Sequence, residues 1–158
     1  MINISKHLLF GSLLFSQISM AMQKTDFKLQ EPYFDSKKRE YVIEAIDQKK
    51  QVIGFARYHP IYAQSGWMLA SMEVENDFRK QGIGRKLLAE CISRATTSNA
   101  SQLSWRVLPK AIDMSEEQLV SYYFRMIEKI DPALLKKTTL DYRGPDSYSS
   151  TWIVINLE

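Results

Sequence analysis

Short apolar runs rich in Tyr, Val and Ile recur along the chain and predict a sheet of several strands. His59-Pro60 should end the third strand, because proline cannot donate to a central ladder. Two other segments have the apolar spacing of three and four that is typical of amphipathic helices. The predicted strands cover 27–29, 38–46, 51–58, 67–74, 102–108, 137–142 and 149–157, with helices at 84–96 and 115–130. The chain is therefore predicted to have a mixed α/β fold.

The second helix should begin with a capping box, in which Ser115 and Gln118 satisfy each other's backbone N–H groups. The apolar positions that follow have offsets of 3, 4, 7, 8 and 11, which place them on one stripe of the helix. They are Leu119, Tyr122, Tyr123, Met126, Ile127 and Ile130.

Gly82-Ile83-Gly84 lies between the predicted strand at 67–74 and the first helix, an arrangement that makes an anion site from backbone N–H groups. A dinucleotide fingerprint requires a third glycine, where this chain has Leu87. A nucleoside-triphosphate loop requires Lys-Ser/Thr after its second glycine, and here Arg85-Lys86 follows. Both of these phosphate sites are excluded. Arg79, Lys80, Arg85 and Lys86 are a basic rim that suits some other anionic cofactor.

The remaining pattern resembles motif A of the GNAT superfamily of acetyl-CoA-dependent N-acetyltransferases, Val-x-x-x-x-Arg-x-x-Gly-x-Gly/Ala. Its positions are Val74, Arg79, Gly82 and Gly84, with Phe78 before the arginine and paired leucines after the loop. The element order is also similar to the family's order from its second strand onward, over residues 38–157. The resemblance implies a mixed, mainly antiparallel central sheet flanked by helices and splayed between the family's fourth and fifth strands.

The resemblance further implies that acetyl-CoA is the co-substrate, with its pyrophosphate on the backbone N–H groups of residues 81–85. By the same analogy, the exposed main chain of Met72 and Val74 receives the pantetheine arm. Arg79 and Lys80 would add positive charge, although a solvated basic surface is the alternative for both. The implied cofactor-binding residues are Met72, Val74, Arg79, Lys80, Gln81, Gly82, Ile83, Gly84 and Arg85.

The implied reaction is direct transfer of an acetyl group, in a ternary complex, to a primary amine of a small molecule, peptide or protein. In the family, a tyrosine on the helix after the fifth strand protonates the sulfur. Alignment with the second predicted helix here favours Tyr123 over Tyr122, with simple packing as the alternative. The family's base positions correspond to Met68 and Ala70, which cannot act. Glu73 is the nearest carboxylate, and proton removal through water is the alternative to it.

A GNAT-like module that binds CoA without transferring the acetyl group is the alternative function, since Ile127-Glu128 replaces the family's Gly-Phe. At 158 residues with a net charge of +3, the chain should contain one domain, over 22–158, and its charge pattern indicates no nucleic-acid groove. One cysteine and two distant histidines predict no metal site. Cys91 falls on the apolar stripe of the first helix and should be buried.

Residues 1–21 combine Lys6 and His7, an apolar run to Ile18, and Ser19-Met20-Ala21, which is the signature of a secretory signal peptide. This interpretation predicts export or secretion. The alternative is an N-terminal structural helix in a cytoplasmic protein. The run is too short to span a membrane, and no transmembrane segment is predicted in the mature chain.

Overall fold

The computed structural model describes residues 25–61, 65–109, 114–143 and 150–158. The predicted signal segment 1–21 lies outside the described residues. The strands are β1 (Phe27–Leu29), β2 (Tyr33–Asp35), β3 (Glu40–Asp47), β4 (Val52–Ile61), β5 (Gly66–Val74), β6 (Gln102–Arg106), β7 (Thr138–Arg143) and β8 (Ser150–Asn156). The helices are α1 (Ile83–Thr97), α2 (Glu116–Ile130) and α3 (Pro132–Lys136). Among the described residues, none of the helices has the length and the apolar composition that a membrane-spanning helix needs.

All eight strands in the described part belong to one sheet, in the order β1-β3-β4-β5-β6-β8-β7, with β2 paired to β3 beyond this path. The β5–β6 pair is parallel. The other pairs are antiparallel. Helix α1 provides the crossover between the two parallel strands, as such a connection requires. The predicted mixed, mainly antiparallel sheet with flanking helices is confirmed.

The main core lies between the sheet and the helices α1 and α2. Alternation along the strands places Ile43 and Ala56 on this face, and both are fully buried. The buried stripe of α1 comprises Ile83, Leu87, Leu88, Cys91, Ile92 and Ala95. The prediction that Cys91 is buried is confirmed, and that burial raises the pKa of its thiol to about 12.

The prediction that His59-Pro60 ends a strand is wrong, because β4 continues to Ile61. Pairing with β3 stops at Tyr41 and Tyr58, so Pro60 is paired on one side only, with Trp67 of β5. A proline is accepted where its missing N–H would face no neighbouring strand.

Three short elements were not predicted, and one of them is a 3₁₀ helix at Asn76–Phe78. Strand β2 is three residues long, and its pairing with β3 places Tyr33 beside Val42. Helix α3 begins at Pro132, where Asp131 accepts a hydrogen bond from the N–H of Ala133 at 2.8 Å. Proline is favoured at the first position of a helix, and Asp131, which follows the end of α2, also caps the start of α3. In addition, β6 ends at Arg106, two residues before the predicted boundary at 108.

Strands β5 and β6 separate soon after they begin to pair. Their pairing is limited to Trp67 with Leu103 and Met68 with Ser104. On the other side of β5, the register with β4 shifts between Arg57 and Tyr58, which leaves Ala70 as an extra residue. Such a bulge bends its strand and increases its twist. The splay that the family resemblance implied is therefore present.

Gly54 fits where β4, β5 and α1 meet. A Cβ at this position would lie 3.0 Å from the Glu73 carbonyl oxygen and 3.2 Å from Ile83 Cγ2. Both neighbours belong to the elements that carry the glycine loop. Gly54 therefore allows the start of α1 to approach the sheet closely.

We expect Gly54→Ala to lower the free energy of unfolding by about 1–3 kcal/mol, because backbone atoms must shift to admit the methyl group. Gly84→Ala is the matched control, since a Cβ there meets its nearest atom at 3.8 Å. Alanine favours helix, so Gly84→Ala should be neutral or stabilising by at most about 1 kcal/mol. Urea unfolding measures both variants, and equal stabilities would contradict this account of Gly54.

Candidate active site

A cleft of about 1830 Å³ opens where β5 and β6 diverge, and the start of α1 and one side of α2 complete it. This volume exceeds the roughly 300–1,000 Å³ of a typical small-ligand pocket, which leaves room for an extended ligand. Every site residue predicted from the sequence lines the cleft: Met72, Glu73, Val74, Arg79, Lys80, Gln81, Gly82, Ile83, Gly84, Arg85 and Tyr123.

The loop between β5 and α1 is held by its own side chains. Arg79 Nε donates to the Val74 carbonyl oxygen at 3.1 Å, closing the loop over the end of the strand. Gln81 accepts a hydrogen bond from the N–H of Thr25 at 2.7 Å. The backbone is left-handed at Lys80, with φ 63°, and at Gly82, with φ 87°. Glycine adopts this conformation without the steric cost that a Cβ brings, so Gly82 allows the sharp turn into the helix.

The first turn of α1 points unpaired N–H groups towards the cleft. Gly82 is the N-cap and offers no side-chain acceptor to these groups. In any α-helix the first N–H groups lack an intrahelical acceptor. No acidic residue occupies this turn, whereas Arg85 lies within it. Positive charge at the positive end of a helix dipole is unfavourable alone and becomes favourable when an anion binds between them.

Basic side chains surround this helix terminus. Six basic residues line the described cleft, against two acidic ones, Glu73 and Glu75. The basic residues are Arg79, Lys80, Arg85, Arg106, Arg125 and Lys129. Sequence reasoning missed Arg106 and Lys129 as site residues, although Lys129 lies one helical turn from Arg125. The cleft thus carries a local excess of positive charge.

Lys86 is not part of the cleft, in contrast to its predicted place in the basic rim. Its Nζ lies 4.5 Å from the centre of the Phe27 ring. This cation–π contact holds the side chain against β1. Arg85 and Lys86 therefore have different surroundings despite being adjacent in sequence.

The two adjacent tyrosines of α2 occupy different positions. The Tyr122 hydroxyl lies 3.9 Å from the position that a Cβ of Gly84 would take. Tyr122 is 44% exposed, so the predicted apolar stripe of α2 does not bury it. The Tyr123 ring packs edge-on against Trp105, with 5.3 Å between ring centres. Burial, with a smaller contribution from Tyr122, raises the pKa of Tyr123 to about 12.

Glu73 is exposed and lines the cleft. Regular pairing resumes after the bulge, with Met72 opposite Ala56 and Glu73 opposite Phe55. Alternation therefore places Glu73 on the sheet face away from α1, while Met72 and Val74 face the helix. The bulge at Ala70 does not change the direction of Glu73.

His59 lies outside the cleft lining. Its Nδ1 is 4.0 Å from a carboxylate oxygen of Glu40. Within the described residues, no group of three His, Cys, Asp or Glu side chains could hold a metal ion.

The family model of the acetyltransferase (GNAT) family matches residues 13–122, more than half of the chain. The chain belongs to this family. As a member it is an enzyme of the acyltransferase class, and the resemblance carried by the glycine loop is confirmed. The match begins inside segment 1–21 and provides no support for the signal-peptide interpretation. At the level of sequence, no curated protein matches the chain.

Solved structures of GNAT proteins share the fold. An acetyltransferase of the GNAT family from Staphylococcus aureus Mu50 has a TM-score of 0.55 at 14% identity, covering 75% of this chain and 69% of its own. Nourseothricin acetyltransferase has a TM-score of 0.52 at 15% identity, covering 85% of both chains. The GNAT N-acetyltransferase YhbS from Escherichia coli, solved with CoA, has a TM-score of 0.50 at 18% identity, covering 75% of this chain and 59% of its own.

The phenol of Tyr123 makes stability depend on alkaline pH. Its pKa is about 12 when folded, against an ordinary value of 10.0, so the unfolded chain loses this proton first. Stability therefore falls as pH rises from 10 towards 12. We expect Tyr123→Phe, which keeps the ring, to reduce this loss by about 2 kcal/mol. Urea unfolding of both proteins between pH 9 and about pH 12 measures this loss of stability. If the loss is the same in Tyr123→Phe as in the wild type, the phenol is not buried.

Proposed function

We propose that this enzyme transfers an acetyl group from acetyl-CoA to a primary amine, directly within a ternary complex. The observation that carries the proposal is the continuity of the helix terminus with the gap between β5 and β6. The unpaired N–H groups of α1 lie at one end of the cleft, and the diverging strands form the other. A ligand with an anionic head and a narrow arm matches this shape.

The residues present fit acetyl-CoA as co-substrate. The N–H groups of residues 81–85 suit the pyrophosphate, because helix N-termini attract phosphate by both hydrogen bonding and the helix dipole. The surplus of basic side chains in the cleft offsets the remaining negative charge of the cofactor. Met72 and Val74 lie beside the gap, where their main chain would pair with the amide groups of the pantetheine arm.

The chemistry requires a neutral amine and a proton for the leaving thiolate. As the amine nitrogen bonds to the acetyl carbon, the carbon–sulfur bond breaks and the sulfur takes up a proton. We assign this proton to the Tyr123 hydroxyl, whose raised pKa keeps it protonated through the neutral range. The amine loses its own proton to Glu73 or to water, since Glu73 lies on the cleft and is accessible to solvent.

Arg85 and Lys86 provide a matched test of the cofactor site. Arg85→Gln and Lys86→Gln remove the same charge from adjacent positions, yet only Arg85 lines the cleft. We expect Arg85→Gln to weaken acetyl-CoA binding about tenfold, as loss of a charge-assisted hydrogen bond does. Lys86→Gln should leave affinity within about twofold of the wild type, since Lys86 contacts Phe27 instead. Isothermal titration measures both variants. Equal losses in the two would place the anion site elsewhere.

Substitutions of the two tyrosines should affect different kinetic constants, kcat for Tyr123 and KM for Tyr122. We expect Tyr123→Phe to lower kcat about 10²–10⁴-fold with little change in the KM for acetyl-CoA, as loss of a general acid does. Tyr122→Phe should mainly raise that KM, because its hydroxyl lies beside Gly84. Release of free CoA thiol in the presence of a panel of amines and peptides measures both.

The wild-type enzyme is the reference in this assay. Amine-dependent thiol release by the wild type is the result expected of a transferase. Tight acetyl-CoA binding without any amine-dependent release would instead support a CoA-binding module that lacks transfer activity.

A further inference from the structure

One buried donor of the cleft has no partner. Trp105 is 2% exposed, and its indole N–H has no hydrogen-bond acceptor in the described part of the chain. Leaving a buried donor unpaired costs about 1–3 kcal/mol, so such groups are uncommon in folded proteins. The indole of Trp152 shows the ordinary arrangement, donating to Ser150 Oγ at 3.0 Å.

Two other buried side-chain atoms share this property among the described residues, His59 Nδ1 and Ser104 Oγ. Neither residue lines the cleft, whereas Trp105 does. Trp105 therefore belongs to the lining of the cleft, whereas His59 and Ser104 do not.

Trp105 lies at the end of the gap where β5 and β6 stop pairing. Its preceding residue, Ser104, makes the last pair with β5, and Trp105 itself pairs only with Ile153 on the far side. The N-terminus of α1, the proposed phosphate site, lies at the other end of β5, since a Cβ on Gly84 would be 3.8 Å from Val74 Cγ2. An arm anchored by its phosphates would therefore extend its thioester towards Trp105. The ring of Tyr123, which also lines the cleft, packs against this indole.

We propose that the Trp105 indole N–H donates a hydrogen bond to the carbonyl oxygen of the acetyl thioester. This inference rests on the proposed function. The carbonyl oxygen gains negative charge as the amine nitrogen bonds to the carbon and loses it when the carbon–sulfur bond breaks. A buried, fixed donor stabilises such developing charge more strongly than water does. Trp105 would thus polarise the carbonyl while Tyr123, on the neighbouring helix, supplies the proton to sulfur.

Indole N–H signals in ¹H–¹⁵N NMR spectra of the wild-type protein test this directly. The chain has three tryptophans, and the Trp105 signal is the one missing from Trp105→Phe. We expect acetyl-CoA to shift this proton downfield. S-ethyl-CoA, which has a methylene in place of the thioester carbonyl, should occupy the same cleft without producing that shift. The amides of Gly82 and Gly84 report binding of either ligand independently.

Equal indole shifts with both ligands would overturn the proposal, because they would not depend on the carbonyl. A response of the glycine amides without any indole shift would overturn it too, while leaving the proposed function intact. If neither set of signals responds to acetyl-CoA, both proposals fail. These outcomes distinguish the failure of the inference from the failure of the function on which it rests.

Trp105→Phe adds a second measurement that is insensitive to general loss of packing. We expect it to weaken acetyl-CoA binding about five- to tenfold, as loss of one hydrogen bond does, and S-ethyl-CoA binding by less than about twofold. The ratio of the two affinities cancels any common effect of the smaller ring. A ratio unchanged from the wild type would overturn the proposal.

Discussion

Strands β5 and β6 share only two residue pairs before they part, and the rest of the site depends on this early separation. Every backbone N–H and C=O group requires a partner, so the facing edges of two separated strands remain open to water or to a ligand. An extended ligand with its own amide groups satisfies such an edge as an added strand would. The gap between β5 and β6 at the centre of the sheet can therefore accept a narrow, extended part of a ligand.

Residues of β4, β5 and the helices α1 and α2 shape the surroundings of this gap. The bulge at Ala70 lies two residues after the last pair between β5 and β6, and Gly54 lets α1 approach β5 closely. Helix α2 lies alongside, with Tyr122 towards the loop and Tyr123 towards Trp105. In the proposed mechanism, phosphate recognition at the start of α1 and acyl chemistry at Tyr123 and Trp105 are therefore separated along one cleft.

The glycine loop and both long helices could be predicted from the sequence because their signals are local. Gly82 and Gly84 have fixed spacing, and the Ser115 capping box forms as predicted. The continuation of β4 through Pro60 could not be predicted, since it depends on where β3 stops pairing. The proposed role of Trp105 could not be predicted either, because the unpaired indole of a strand residue is recognised only once its neighbours are placed in space. Local chemistry was predictable, and distant pairing was not.

A crystal structure of the protein with acetyl-CoA would test the central claim most directly. The account predicts pyrophosphate oxygens about 3 Å from the backbone nitrogens of Ile83, Gly84 and Arg85, with the pantetheine arm between β5 and β6. The thioester carbonyl should then lie within hydrogen-bond distance of the Trp105 indole nitrogen. Cofactor bound outside the gap, or phosphates away from the start of α1, would contradict it.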